Sequence, residues 1–246
     1  MTGNSSITQN TYSQLRADLL ACRLAPGQKL KIDELCQRLS AGSSAVREAL
    51  SRLASEGLVL TEPQRGFRVM PLDLDELRDL TNTRCQIEEL CIRDSIIHGD
   101  IEWETALIAA LHRLSRTPVQ ADGDTKRYSE AFGVAHTMFH EALVGACASR
   151  WLLQVRQLLC TQHERYRWLS RPLAKAERDL DEEHSAIARA ALDRDAGATV
   201  TLMTAHLQKT ASIILDATAV SGPLGPPQAN FDHPNRLRGR QAAHIG

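Results

Sequence analysis

Four histidines are the residues of this chain best suited to binding a metal ion. His136 and His140 are four positions apart, so on a helix their side chains leave the same face about one turn apart. His184 and His206 lie in two later apolar patterns, beside residues that are expected to face inward. Neutral imidazole is a common ligand for borderline metals such as zinc and nickel. The pattern therefore favours a divalent metal site, with hydrogen-bonded core histidines as the alternative.

Two short amphipathic helices in the first third of the chain form a second candidate site. They are predicted over residues 31–39 and 43–56. Gly42 in the turn between them can adopt a positive φ, and Ser43 or Ser44 can cap the second helix. The inward-facing residues are Ile32, Leu35 and Leu39 in the first helix and Val46, Leu50 and Leu53 in the second.

Strands predicted at 58–60 and 67–69 flank a Pro-Gln-Arg-Gly turn, which completes a winged helix-turn-helix. In this motif the second helix enters the major groove of DNA, and the wing lies beside it. The residues expected to contact bases or phosphates are Ser43, Ser44, Arg47 and Arg52 on the helix and Arg65 and Gly66 at the wing tip.

The distribution of charge agrees with DNA binding. The chain has 246 residues and a net charge of -1, but residues 1–70 carry nine Lys and Arg against six Asp and Glu. The first 70 residues are therefore at +3 and the remainder at -4. No apolar run reaches the roughly 20 residues of a membrane span, and no signal peptide is visible. The six cysteines form no C-x-x-C pair, which is typical of reduced thiols in a cytoplasmic protein.

The pattern of apolar residues predicts a mainly α protein of two domains. A flexible segment (1–10) precedes the winged domain (11–70), in which a further helix over 12–24 packs behind the second helix. Residues 71–219 show no strand and predict an antiparallel bundle of six to seven helices. A tail rich in Gly, Pro and Arg (220–246) is expected to be disordered. The predicted bundle helices cover 73–98, 103–115, 125–145, 151–169, 173–192 and 196–219.

Three separated segments of the first seventy residues are PGQKL at 26–30, VREALSRLASEGLV at 46–59 and RGFRV at 65–69. In this order and spacing they resemble the N-terminal domain of GntR-family bacterial transcription regulators. The family commonly has S-R-T-P before V-R-E-A-L, whereas this chain has Gly42-Ser43-Ser44-Ala45. Ser43 therefore stands where an arginine often reads a guanine, and the operator of better-known relatives does not carry over.

The helical remainder is similar to the FCD effector domain, which follows this kind of head in a large GntR branch. Many FCD domains hold a metal with an acid-x-x-x-His pair and two later histidines, and His140, His184 and His206 match that pattern. The usual fourth ligand is aspartate, and His136 occupies its position here. The resemblance thus implies a divalent metal bound by four nitrogens, and we expect zinc or nickel.

A small organic acid is the expected effector, because an open metal position can take a carboxylate oxygen. Similar domains carry a cavity-facing arginine on the first bundle helix, and Arg84 matches it; an ion pair with Glu88 is the alternative. Arg165 and Tyr166 are further candidates, although an arginine there could equally reach solvent. The glycine in the turn, His136 with Phe139 and His140, and the R-Y-R triplet at 165–167 resemble the CsiR-like repressors of glutarate and 2-hydroxyglutarate catabolism.

These resemblances imply a homodimeric repressor that binds a palindromic operator and is released by its effector. Two other classes remain open. One is a metal-dependent enzyme that uses the histidines, although the sequence lacks the E-x-x-H pairs of di-iron bundles. The other is an architectural DNA-binding protein without an effector, for which no small molecule would change operator release.

Overall fold

The computed structural model describes residues 3–174 and 178–221, over which the chain forms nine helices and five short strands. The mainly α class with a winged helix-turn-helix is confirmed. We call the elements up to residue 69 the head: α1 (Gly3–Leu20), β1 (Lys29–Leu30), α2 (Ile32–Leu39), α3 (Ser43–Ser55), β2 (Val59–Glu62) and β3 (Gly66–Val69). We call the remaining elements the bundle: α4 (Leu74–His98), α5 (Ile101–Ser115), β4 (Gln120–Ala121), β5 (Asp124–Tyr128), α6 (Glu130–Leu143), α7 (Arg150–Leu173), α8 (Leu180–Leu192) and α9 (Ala196–Ser221).

The head has its own hydrophobic core between α1 and α3. Leu15 and Leu19 of α1 are fully buried together with Leu50 and Leu53 of α3. Burying each such leucine contributes about 1.5–3 kcal/mol relative to leaving it exposed. This core fixes which face of α3 is left to solvent, so it determines which side chains can reach DNA.

The wing is a three-stranded antiparallel sheet in the order β1-β3-β2. β2 and β3 pair from Val59↔Val69 to Glu62↔Gly66, as the predicted hairpin requires. The short strand β1 adds a third member through Lys29↔Arg68 and was not predicted. Gly66 at the tip has φ 90°, a conformation that favours glycine.

Two expectations for the helix-turn-helix were wrong in detail. Gly42 has φ -72°, and the positive φ of the turn belongs to Ser40, at 50°. Gly42 is also the N-cap of α3 and no side chain caps it, because Ser43 and Ser44 already lie inside the helix.

The first helix also differs from its predicted range of 12–24. α1 begins at Gly3, within the segment that was expected to be flexible, and ends at Leu20. Its end is set by Cys22, which has φ 53°, and by the bond from the N–H of Arg23 to the carbonyl of Asp18.

The bundle packs around a core that α5, α6 and α8 share. Trp103 and Leu107 of α5, Phe132 and Phe139 of α6 and Ile187 of α8 are all buried in it. α4 begins where the Asp73 carboxylate accepts from the N–H groups of Asp75 and Glu76 and ends before Gly99. No described helix is long and apolar enough to cross a membrane.

Three expectations for the bundle were wrong. Residues 120–128 form a hairpin, β4 with β5, where no strand was expected. α6 therefore begins only at Glu130, where Ser129 caps it, and not at 125. The helix predicted over 173–192 begins only at Leu180, because α7 continues to Leu173 and not only to 169. α9 extends through Ser221, and the rest of the predicted tail, 222–246, lies outside the described residues, as do 175–177.

Candidate functional site

Three helices bring the four histidines together inside the bundle. α6 carries His136 and His140, α8 carries His184 and α9 carries His206. One ring nitrogen from each lies within 4.8 Å of the corresponding nitrogens of the others, and all four side chains are buried. The Nε2 atoms of His136 and His140 are 3.2 Å apart. The helical spacing i, i+4 places these two rings on one face of α6, and the packing of α8 and α9 against that face completes the cluster.

Two of the rings are oriented through their outer nitrogens. Nδ1 of His184 lies 2.6 Å from the carbonyl oxygen of Leu180, and Nδ1 of His206 lies 2.9 Å from Oε2 of Glu183. Metal-binding histidines usually donate their second ring N–H in this way, which leaves Nε2 for the metal. Nε2 of His184 and Nδ1 of His140 are buried without a hydrogen-bond partner among the described residues.

The donor set fits a divalent metal. Burial lowers the pKa of all four imidazoles, and neighbouring imidazoles or arginines lower it further; for His184 it falls to about 3. The rings are therefore neutral at physiological pH, which is the form that binds metals. Zinc and nickel both accept several imidazole nitrogens. A bound ion would supply positive charge and a position for a carboxylate oxygen.

A cavity borders His136 and His140, with an empty volume of about 550 Å³ that includes space open to solvent. Its charged lining residues are four arginines and two glutamates: Arg16, Arg84, Arg156, Arg167, Glu141 and Glu164. The excess of arginines makes the cavity suited to an anion.

Two of these arginines share one buried carboxylate. Oε1 of Glu88 accepts from Nε and Nη2 of Arg84 at 3.3 Å, and Oε2 accepts from Nε of Arg156 at 2.8 Å. Arg156 also donates from Nη2 to the carbonyl of His140 at 2.8 Å. Arg84 therefore pairs with Glu88 and also lines the cavity, and its role in effector binding stays a prediction. One guanidinium charge of this pair is left uncompensated by Glu88.

The other two effector candidates lie outside the cavity lining. Arg165 donates from Nη2 to the carbonyls of Met70 and Pro71, where the head joins the bundle. The hydroxyl of Tyr166 donates to the carbonyl of Asp73 at 3.2 Å. Both side chains are buried at this junction, so their placement supports a role in joining the two parts and not in binding an effector.

The sequence interpretation overlooked several residues of the site. Arg167 lines the cavity, pairs with Glu164 and lies 4.9 Å from the ring centre of Tyr128. Helical spacing could have found it, because the lining residues of α7 recur on one face: Arg156, Gln157, Cys160, Thr161, Glu164 and Arg167. Arg178 lies between α7 and α8 and bonds Glu183 and His206. No local pattern indicates that contact.

The residues expected to contact DNA lie on the outer side of the head. Ser43, Ser44 and Arg47 are exposed on α3, and Arg65 and Gly66 are exposed at the wing tip.

Arg52 is also exposed, but its guanidinium lies 4.0 Å above the ring of Tyr12 and donates to Gln9 at 3.1 Å. It is therefore held by α1, whereas Arg47 has no such contact among the described residues.

Comparison with known proteins identifies both halves. Residues 7–69 match the family described as bacterial regulatory proteins, gntR family, and residues 79–209 match the FCD domain. The regulator BphR of Paraburkholderia xenovorans is 38% identical over 209 residues, 85% of each chain. The transcriptional repressor GlaR of Escherichia coli is 33% identical, over 85% of this chain and 96% of its own.

Solved structures agree on the fold. A GntR regulator from Rhodococcus sp. RHA1 superimposes with a TM-score of 0.67 at 20% identity, over 86% of this chain and 99% of its own. Both relatives are named as transcriptional regulators, which confirms the interpretation of this chain as a regulator rather than a metal-dependent enzyme. The chain belongs to the GntR family of bacterial transcriptional regulators, in the group whose effector half is an FCD domain.

Proposed function

We propose that this protein is a repressor whose operator affinity is lowered by a small organic acid bound beside a metal in the bundle. The cavity carries the proposal, because two members of the histidine cluster, His136 and His140, line it together with the buried side chains of Arg84, Arg156 and Arg167. GlaR is named as a transcriptional repressor, which supports the same sign of regulation here.

A dicarboxylate or 2-hydroxy acid fits this chamber best. The proposed metal ligands are His136, His140, His184 and His206, and zinc or nickel is the proposed ion. One carboxylate would lie at the metal, and the other would lie near Arg84 and Arg156. These two arginines share Glu88, so one of their two positive charges is available to the second carboxylate. Glutarate and 2-hydroxyglutarate are the proposed representatives.

DNA recognition is assigned to the exposed face of the head. Arg47 is positioned to contact bases, Ser43 and Ser44 to bond phosphates at the start of α3, and Arg65 with Gly66 to contact the minor groove or flanking phosphates. We assign Arg52 a phosphate contact that requires it to leave the face of Tyr12.

A homodimer would place two heads on the half-sites of a palindrome. Three apolar side chains at helical spacing on α7 are exposed and provide a surface for a second copy: Trp151, Val155 and Leu158, with exposures of 79%, 41% and 54%. We further propose that the protein works in the cytoplasm and that its functional division falls near residue 70, between a DNA-binding domain (11–70) and an effector domain (71–219).

Linkage explains how the acid acts at a distance. A fifty-fold change in operator affinity requires about 2.3 kcal/mol of differential binding between two arrangements of the heads. The effector needs only to favour the arrangement that fits the operator less well.

Thermal unfolding with a panel of organic acids, before and after chelation and zinc reloading, tests this function. We expect dicarboxylates to raise the Tm of the metal-loaded protein and monocarboxylates to do so less. Gel shifts with the DNA beside its own gene then test release. An enzyme or an effector-free DNA-binding protein would show no acid-dependent release.

A further inference from the structure

The effector cavity is lined by the head as well as by the bundle. Arg16 and Leu20 are one turn apart on α1, and both border the cavity together with Arg84, Arg156 and Arg167 of the bundle. The guanidinium of Arg16, which belongs to the head, thus forms part of the wall of a cavity that the bundle otherwise lines.

Arg16 bonds both parts of the protein. Its Nε donates to Oε2 of Glu56 at 3.0 Å, and its Nη2 donates to Oγ1 of Thr161 on α7 at 3.3 Å. Glu56 is the C-cap of α3, and its carbonyl accepts from Nε2 of Gln162 at 2.5 Å. A guanidinium has five N–H donors, so these two bonds leave donors of Arg16 for a further ligand.

α1 is tied to the rest of the head and moves with it. Leu15 and Leu19 are fully buried in the head core. Asp18, between them, accepts from Arg38 of α2 at 2.9 Å and from Arg23 at 2.7 Å. Any displacement of the head from the bundle therefore carries Arg16 away from the cavity wall.

We propose that Arg16 is an effector-binding residue which the head contributes to the cavity, so that the site is complete only while the head is docked as in this structure. The inference rests on the proposed function of the cavity. A carboxylate that bonds Arg16 stabilises the docked arrangement over any other, by an amount equal to the difference in effector affinity between the two arrangements. The operator-bound arrangement is then the one that loses this contact, and the acid opposes operator binding through Arg16.

Arg16→Gln tests the proposal, and Arg23→Gln is the matched control. Arg23 also joins the head to the bundle, through Oε1 of Glu130 at 2.5 Å, but it does not line the cavity. Calorimetry of the full-length protein with glutarate and 2-hydroxyglutarate gives effector affinity, and fluorescence anisotropy with operator DNA gives operator affinity with and without each acid.

We expect Arg16→Gln to lower acid affinity about tenfold, the loss typical of one charged hydrogen bond. The factor by which the acid weakens operator binding should fall in proportion. Operator affinity without acid should stay within about threefold of wild type, which also shows that the variant is folded. Arg23→Gln should keep both acid affinity and acid-dependent release.

Unchanged acid affinity in Arg16→Gln would overturn the proposal, and so would an equal loss in Arg23→Gln, because docking in general would then explain the effect. The experiment distinguishes failure of this inference from failure of the proposed function. If the wild type binds acid and Arg84→Gln reduces that binding while Arg16→Gln does not, only this inference fails. If the wild type binds neither acid, the proposed effector class fails and the inference fails with it.

Discussion

Oε2 of Glu183 lies 2.9 Å from Nδ1 of His206, although the two residues are 23 positions apart. The same carboxylate accepts from Arg178 and from Lys209. Burial raises the pKa of Glu183, but the hydrogen bonds from His206, Arg178 and Lys209 outweigh burial and hold the pKa well below its usual range. Glu183 is therefore ionised, and it fixes the ring of His206 so that Nε2 is free for a metal.

Glu183→Gln should weaken metal binding while leaving all four imidazoles in place. Removing a hydrogen-bond partner of a metal-binding histidine typically costs about 10–100-fold in affinity. Competition with a chelator of known zinc affinity measures the loss. The adjacent Glu182→Gln is the control, because Glu182 pairs with Arg189 on the surface. Equal zinc affinity in the two variants would contradict the assignment of the cluster.

Arg47→Ala should abolish specific operator binding, because its exposed side chain is the one on the outer face of α3 best placed to reach bases. A single bidentate contact to a base contributes about 1–3 kcal/mol of discrimination. Anisotropy at fixed salt with operator and scrambled DNA measures it. Arg93→Ala, which removes an exposed pair with Glu89 in the bundle, should bind as wild type does. Near-normal specificity in Arg47→Ala would count against α3 as the recognition helix.

Glu88→Gln should destabilise the fold far more than Glu89→Gln, although the two glutamates are neighbours and each pairs with an arginine four positions away. Glu88 is 1% exposed and bonds Arg84 and Arg156, whereas Glu89 is 43% exposed in its pair with Arg93. Leaving buried charges unpaired costs about 3–5 kcal/mol, and an exposed pair contributes at most about 1 kcal/mol. Urea unfolding of both variants at neutral pH compares them, and similar midpoints would refute the buried pairing.

The difference in stability between wild type and Glu88→Gln should depend on pH, and the pKa of Glu88 determines the direction. Burial raises the pKa of Glu88, but Arg156 and Arg84 outweigh burial, so its pKa in the folded state is lowered. The ionised Glu88 therefore adds to the free energy of unfolding at pH values above the pKa of an ordinary glutamate. This stabilisation is lost as the pH falls through the lowered pKa of the folded state. The difference in stability between wild type and Glu88→Gln should shrink on acidification below that range, and a constant difference would contradict the ion pair.

Leu158→Asp should weaken self-association if the exposed apolar side chains of α7 form the interface between two copies. Ile108→Asp on α5 is the control, since the two side chains are 54% and 52% exposed. A charge at the centre of an apolar interface typically costs at least about 2 kcal/mol, or more than tenfold in Kd. Sedimentation over a concentration series measures the equilibrium between monomer and dimer. A larger effect of Ile108→Asp would contradict an interface on α7.

Local patterns predicted the parts of the fold that depend on local interactions. The apolar spacing of Val46, Leu50 and Leu53 predicted which face of α3 is buried, because helical periodicity alone determines it. The hairpin at 120–128 was missed although Asp122-Gly123 is a turn signal, because the short strands show no clear alternation of apolar residues. The break between α7 and α8 was predicted a few residues too early, at 170–172, since Pro172 lies inside the last turn of α7 instead of ending it early.

Residues of the site that share a helix were predictable from spacing, since the i, i+4 geometry brings together His136 with His140 and Arg84 with Glu88. The resemblance to FCD domains added His184 and His206, which lie in the same cluster although they belong to two other helices. Arg156 reaches Glu88 across 68 positions, and Arg16 reaches Thr161 across 145. Such contacts depend on how helices pack against one another, and no spacing within one segment contains that information.

The most direct test of the whole account is the affinity of the metal-loaded, full-length protein for the DNA beside its own gene, measured with and without glutarate or 2-hydroxyglutarate at fixed salt. We predict specific binding with a Kd of about 10 nM that one of the acids weakens about fifty-fold. Specific binding that no organic acid alters, or no specific binding at all, would contradict the claim that the bundle cavity controls the head.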